Sequence, residues 1–173
     1  MAPVYFDSSV FLAIFAGEAS GPAIRALLKE LKRDKIKIYT SIITVQEVSV
    51  LSFRRGTLVG DNHSKVAKLA RIFGITKEIA LTAAKLEAQW KDLSELHDRD
   101  QKRDDSKRRK WDCFRVATAL ALQCSTFYAM DTRLLALRTH WGITEMEFSS
   151  PQPRRPELEF PEAPGGAAGS QVR

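Results

Sequence analysis

Short apolar runs of strand length alternate along this chain with longer stretches of helical periodicity, and that alternation restricts the fold more than any single motif. The strand candidates are PVYF (3–6), KIYT (37–40), a run at 126–129 and another at 144–148. Between them the pattern predicts helices at about 9–16, 20–34, 43–55, 63–73, 76–97, 111–124 and 132–140. In the second, Ile24, Leu27, Leu28 and Leu31 fall at helical spacing. In the fifth, Ile79, Ala83, Leu86 and Trp90 form one stripe. The third carries Ile43, Val45, Val48, Val50 and Leu51, so it reads as a largely buried helix although β-branched residues favour strands. Helices standing singly or in pairs between short strands are the crossovers of a parallel sheet, so the expected class is α/β.

The boundaries carry chemistry. Asp7, Ser8 and Ser9 follow the first strand and can cap a helix, and Pro22 sits early in the next helix where its missing N–H does no harm. Four acids recur where a strand gives way to a helix or inside the helix beside it: Asp7 in FDSSV, Glu47 in VQEV, Asp112 in WDCFRVATALAL and Asp131 in FYAMDTRLL. Residues just past the strand ends of a parallel sheet share one crevice, so these acids can meet there. Clustered carboxylates repel unless a hard cation neutralises them, which points to Mg²⁺ or Mn²⁺ and to metal-dependent chemistry on phosphodiesters. Each acid also has a plain structural reading. Asp7, Asp112 and Asp131 stand where helix N-caps are expected, and Glu47 can pair with Arg54 or Arg55. Glu47 discriminates best, because a carboxylate among valines is costly to bury unpaired.

With 173 residues the chain suits one well-buried core: a domain over 1–149 and a tail over 150–173. The tail holds five of the seven prolines and three glycines with few apolar residues, so disorder is expected there. No run reaches the length of a membrane span, and the start MAPVYFD has no basic region before its apolar residues, so the expectation is a cytoplasmic protein without membrane association. Cys113 and Cys124, eleven apart on one expected helix, cannot bridge each other and read as small core hydrophobes. Neither GxGxxG nor GxxxxGK[ST] occurs, which argues against a dinucleotide or nucleoside-triphosphate enzyme. His63, His97 and His140 form no metal-spacing pair, and Glu18, Glu87 and Asp92 fit ordinary exposed helix positions.

A net charge of +6 favours an anionic partner. Lys102, Arg103, Lys107, Arg108, Arg109 and Lys110 crowd the stretch before Asp112, diluted by Asp104 and Asp105. That stretch, 98–110, reads as an exposed loop or a helix extension. Arg108, Arg109 and Lys110 are candidates to position a phosphate backbone without reading its sequence. Arg115, one turn beyond Asp112, would neutralise phosphate or bridge to an acid. Trp111 reads as core packing more readily than as a base-stacking residue, and Arg133 as a cap or a solvent-facing residue.

In order and context the four acidic motifs resemble those of PIN-domain nucleases: Asp7 with a hydroxyl two residues on at Ser9, Glu47 in the helix after the second strand, Asp112 in a helix rich in small apolar residues, and Asp131 after the next strand. The resemblance runs from residue 3 to about 147. It implies a three-layer α/β/α sandwich with a central parallel sheet, Rossmann-like in outline. It also implies one or two Mg²⁺ or Mn²⁺ ions at the four acids, and hydrolysis of phosphodiesters, usually in RNA. Many small members are toxins of type II toxin–antitoxin pairs, inhibited by a cognate antitoxin and often homodimeric. Two features depart from the pattern: Ala129 stands where the last motif commonly carries Thr or Ser, and the basic stretch and the tail lengthen the chain.

The expected roles follow. Asp7, Asp112 and Asp131 are ligands directly or through water, Glu47 is a second-ion ligand or orients the attacking water, and Ser9 supports a ligand or a phosphate oxygen. The alternative is an RNA-binding or partner-binding module without turnover. A phosphatase of the haloacid dehalogenase type is disfavoured, because Ser9 stands where that chemistry needs a second Asp.

Overall fold

A computed structural model describes residues 2–54, 59–94 and 102–153, with side chains placed for all of these except 51, 59–61, 91–94 and 102–108. In chain order the elements are β1 (Val4–Phe6), α1 (Ser8–Ala16), α2 (Gly21–Arg33), β2 (Ile38–Ser41), α3 (Ile42–Arg54), α4 (Val59–Leu69), β3 (Arg71–Phe73), α5 (Lys77–Ser94), α6 (Lys102–Ala121), β4 (Thr126–Tyr128), α7 (Thr132–His140) and β5 (Glu147–Ser149). The five strands form one sheet in the order β3-β2-β1-β4-β5, with every neighbouring pair parallel. Helices cover both faces, which makes the three-layer α/β/α sandwich expected above.

β1 is central and wholly buried, as a parallel strand of Val, Tyr and Phe should be. Successive side chains alternate between the two faces. Tyr5 and Phe127 point into a cluster with Ile79, Leu86, Val116 and Trp141, contributed by or just after α5, α6 and α7. Val4, Phe6 and Tyr128 point into a second cluster with Phe11, Ile24, Leu27, Leu31, Val48 and Val66 from α1 to α4. Register sets Tyr5 beside Phe127 and Phe127 beside Phe148. Their rings stack with centroids 5.0 Å apart at each step, a ladder across β1, β4 and β5. Cys113 and Cys124 are both buried in the first cluster, and burial pushes their thiols up to about 12.

Three elements depart from the sequence expectation. The helix expected at 63–73 stops at Leu69, and Arg71–Phe73 forms β3 on the edge of the sheet. Three residues are too few to show a period, and the strand exists because Tyr39, Thr40 and Ser41 offer it a pairing edge. The helix expected at 111–124 begins at Lys102 and ends at Ala121, so the polar stretch before Trp111 continues a helix. Cys124 lies beyond that helix, after Gln123, whose φ of 53° breaks the helical path. The last strand runs at Glu147–Ser149, slightly later than expected. The tail expectation falls mostly on residues 154–173, outside the described residues. Among the described residues no single helix is long and apolar enough to cross a membrane.

Candidate active site

Strand order reverses at β1, whose neighbours are β2 on one side and β4 on the other. A crevice opens beyond the carboxyl ends of strands at such a switch point. Asp7 follows β1 directly, in extended conformation (φ −69°, ψ 158°), and caps α1. Its Oδ2 accepts from the Ser9 backbone N–H at 3.0 Å and from the Ser9 hydroxyl at 2.5 Å. The same hydroxyl accepts from the Met130 N–H at 3.0 Å. Ser9 therefore ties the β1–α1 turn to the β4–α7 turn, one residue before Asp131. Asp131 caps α7 through its Oδ1, which accepts from the Arg133 N–H at 2.9 Å.

The other two acids come from helices. Glu47 projects from the first half of α3, the helix that follows β2. Asp112 lies in the middle of α6, not at its start, so the capping explanation falls for this residue while it holds for Asp7 and Asp131. α6 leads back into β4, and its earlier turns therefore reach the end of the sheet where β1 finishes.

Arg115 joins three of these groups. Its Nη1 donates to Asp112 Oδ1 at 2.5 Å, one turn back on the same helix. Its Nη2 donates to Glu47 Oε1, and its Nε lies 3.2 Å from Asp7 Oδ1. The Arg115 side chain is only 9% exposed and that of Asp7 3%. Burial works against the guanidinium charge, but Asp7, Glu47 and Asp112 outweigh it and raise the Arg115 pKa above its ordinary value. Asp112 moves the other way from a simple ion pair. Burial pushes its carboxyl up to about 7; Arg115 pulls it down, while Asp7, Asp131 and Glu47 push it further up. One guanidinium does not neutralise this many carboxylates.

These groups line a cavity of about 670 Å³ that also takes in Arg54 from α3, Trp90 from α5, Arg109 and Trp111 from α6 and Arg133 from α7. All four acids, Ser9, Arg109 and Arg115 are thus brought to one place. Lys110 is exposed and does not line the cavity, and the Arg108 side chain lies outside the described residues. Arg115 is engaged by acids, the second of its two expected roles. Trp90 packs against the core cluster as its stripe predicts and also reaches the cavity, whereas Trp111, expected in the core, lines the cavity and is 46% exposed. Its position directly before Asp112 was the only signal.

For a hard divalent cation the donor chemistry fits. The acids supply only carboxylate oxygens, and Asp7 Oδ1 is buried without a hydrogen bond, its contact with Arg115 lacking hydrogen-bond geometry. The placement is less complete: among the described residues, no three acidic, histidine or cysteine side chains converge closely enough to hold one ion. The guanidinium lies between the acids, so an ion would need Arg115 to yield at least one of them.

The family model of the PIN domain matches residues 4–139. No curated protein matches the sequence. Among solved structures, a chain of a toxin–antitoxin complex from Klebsiella pneumoniae is similar at a TM-score of 0.56 and 18% identity, covering 86% of this chain and 97% of that one. VapC20 of Mycobacterium tuberculosis, a toxin that cleaves the sarcin–ricin loop, is similar at a TM-score of 0.54 and 18% identity, covering 83% and 98%. At that identity the two structures speak for the fold, which is the same parallel α/β architecture. The family model spans most of the chain and includes every acid that meets at the switch point, and the protein accordingly belongs to the PIN domain family.

Proposed function

We propose that this protein is a divalent-metal-dependent endoribonuclease, acting as the toxin of a type II toxin–antitoxin pair. The observation that carries the proposal is the meeting of Asp7, Glu47, Asp112 and Asp131, from four separate elements, in one cavity. Four carboxylates gathered in one cavity offer a cation oxygen donors, and Arg54, Arg109 and Arg133 around them suit a phosphate backbone. Bound Mg²⁺ or Mn²⁺ would polarise the scissile phosphate and lower the pKa of a coordinated water. Asp7, Asp112 and Asp131 are the proposed ligands, directly or through water, and Glu47 a second-ion ligand or the group that orients the attacking water. Ser9 holds Asp7 in place through its hydroxyl. Arg109 and Lys110, with Arg108 in the same basic run, are proposed to contact phosphates. Likeness to a toxin–antitoxin complex and to an RNA-cleaving toxin supports RNA as substrate and an antitoxin as partner, with a homodimer and a cytoplasmic setting as further parts of the proposal.

The test is cleavage of labelled RNAs and DNAs with Mn²⁺ or Mg²⁺, beside EDTA and the Asp7→Asn, Asp112→Asn double variant. RNA cutting that needs metal and disappears in the variant is the expected result; cutting by the variant would refute the site. One observation favours a second reading, a binding module without turnover: Arg115 already bridges three of the acids, and no three acidic groups among the described residues converge on an ion. Nucleic-acid binding without cleavage under any metal would select it.

A further inference from the structure

Trp111 is the large aromatic that the fold leaves uncovered at the cavity. It follows the basic run of α6 and immediately precedes Asp112, and the residue is 46% exposed. Two residues on, Cys113 is fully buried, so the helix turns its apolar face to the core at 113 and holds Trp111 off it. Phe114 backs the indole, with centroids 6.2 Å apart and planes tilted by 38°, which limits the positions the ring can take. Elsewhere on the cavity wall, the Arg109 guanidinium lies over the Trp90 ring at 5.1 Å, and Trp90 is itself buttressed edge-on by Trp141 at 5.6 Å. Trp111, Arg109 and Trp90 all line the cavity that contains the acids.

An anionic strand approaching this cavity meets repulsion from the carboxylates and attraction from the arginines around them. Stacking is an attraction that does not depend on charge, and it requires a base free of its pairing partner. We infer that Trp111, on the wall of the cavity that Arg109 and Trp90 also line, forms a stacking site for an unpaired nucleobase of the substrate, next to the acid cluster. The inference rests on the proposal that the substrate is RNA, and it narrows that substrate to single-stranded or looped segments. The arginines around the acids favour a nucleic acid over a protein as the occupant.

The experiment measures binding in EDTA, so that cleavage plays no part. Fluorescein-labelled oligoribonucleotides, single-stranded and as the duplex of the same sequence, are titrated with the wild type, Trp111→Ala and Trp111→Phe. Trp111→Ala should weaken single-strand binding on the order of ten-fold, leave duplex binding unchanged, and be largely restored by Trp111→Phe. A 2-aminopurine placed at successive positions should be quenched at one of them by the wild type and not by Trp111→Ala. Single-strand binding unaffected by Trp111→Ala, or lost equally for strand and duplex, would overturn the stacking site alone and leave Trp111 to a protein partner. Absence of binding to either form by the wild type would overturn the RNA proposal together with it.

Discussion

Replacing Arg115 with methionine keeps a long side chain and removes the charge that three carboxylates share. The guanidinium is nearly buried, and its partners differ in what they can do without it. Glu47 is 28% exposed on its side chain and can turn to water, so its share falls toward the about 0–1 kcal/mol of a surface pair. Asp112, already pushed up to about 7, can take a proton. Asp7 cannot turn to water, because it is 3% exposed, and its Oδ1 has no hydrogen bond to fall back on. Removing one partner of a buried ion pair typically costs about 3–5 kcal/mol. With two of three partners able to relax, we expect the lower end, about 3 kcal/mol, for the metal-free protein. Urea unfolding in EDTA at pH 7.5 should then show a midpoint lowered by about 1–2 M, at an m-value of roughly 2 kcal/mol/M. Addition of Mn²⁺ should restore more stability to Arg115→Met than it adds to the wild type. A loss under about 1 kcal/mol in EDTA would refute the reasoning, since Arg115 would then not be what holds the carboxylates together.

Three further outcomes follow from the same geometry. Burial holds the Asp112 carboxyl up to about 7 in the fold, above its ordinary value of 3.8, so its contribution to stability is fully present below about pH 4 and is lost as pH rises through 7. In EDTA the stability read from urea unfolding should therefore fall between about pH 4 and 7, by up to about 1.4 kcal/mol per pH unit from this group, and level off above that, and Asp112→Asn should flatten the dependence. Ser9→Ala removes the hydroxyl that donates to Asp7 and accepts from the Met130 N–H; a stability loss of about 1–3 kcal/mol and a fall in cleavage rate are expected, and unchanged values of both would dismiss the bridge. Phe127→Ala, in the middle of the ring ladder, should cost about 3–5 kcal/mol by thermal or urea unfolding, and a loss below about 1 kcal/mol would contradict the packing described.

Most of the fold was legible because its signals are local. α1, α2 and α7 agree with expectation to within a residue or so, since each has a turn or cap at its start and an apolar pattern long enough to show a period, and β1 agrees because its apolar run ends at the Asp7 cap. α1 ends where Gly17 adopts φ 72°, a conformation glycine accepts readily. β3 was not legible: Arg71, Ile72 and Phe73 extend the apolar spacing of the helix before them, and only the edge of β2 makes them a strand. The sequence pattern starts helix α6 nine residues late, because its first turns carry charge with almost no apolar period to mark them.

The sequence alone determined that Asp7, Glu47, Asp112 and Asp131 stand beside the turns and helices of a parallel α/β chain, because strand ends and cap residues are set by neighbours a few positions away. Tertiary structure decided how those acids are balanced. Arg115 lies 68 residues from Glu47 and 108 from Asp7, and only the order β2-β1-β4 brings α3, α1 and α6 to one crevice where a single guanidinium can reach all three. It also decided that Trp111 faces the cavity while Cys113 faces the core. Which side of a helix meets solvent depends on what packs against it, and that is a property of the assembled layers.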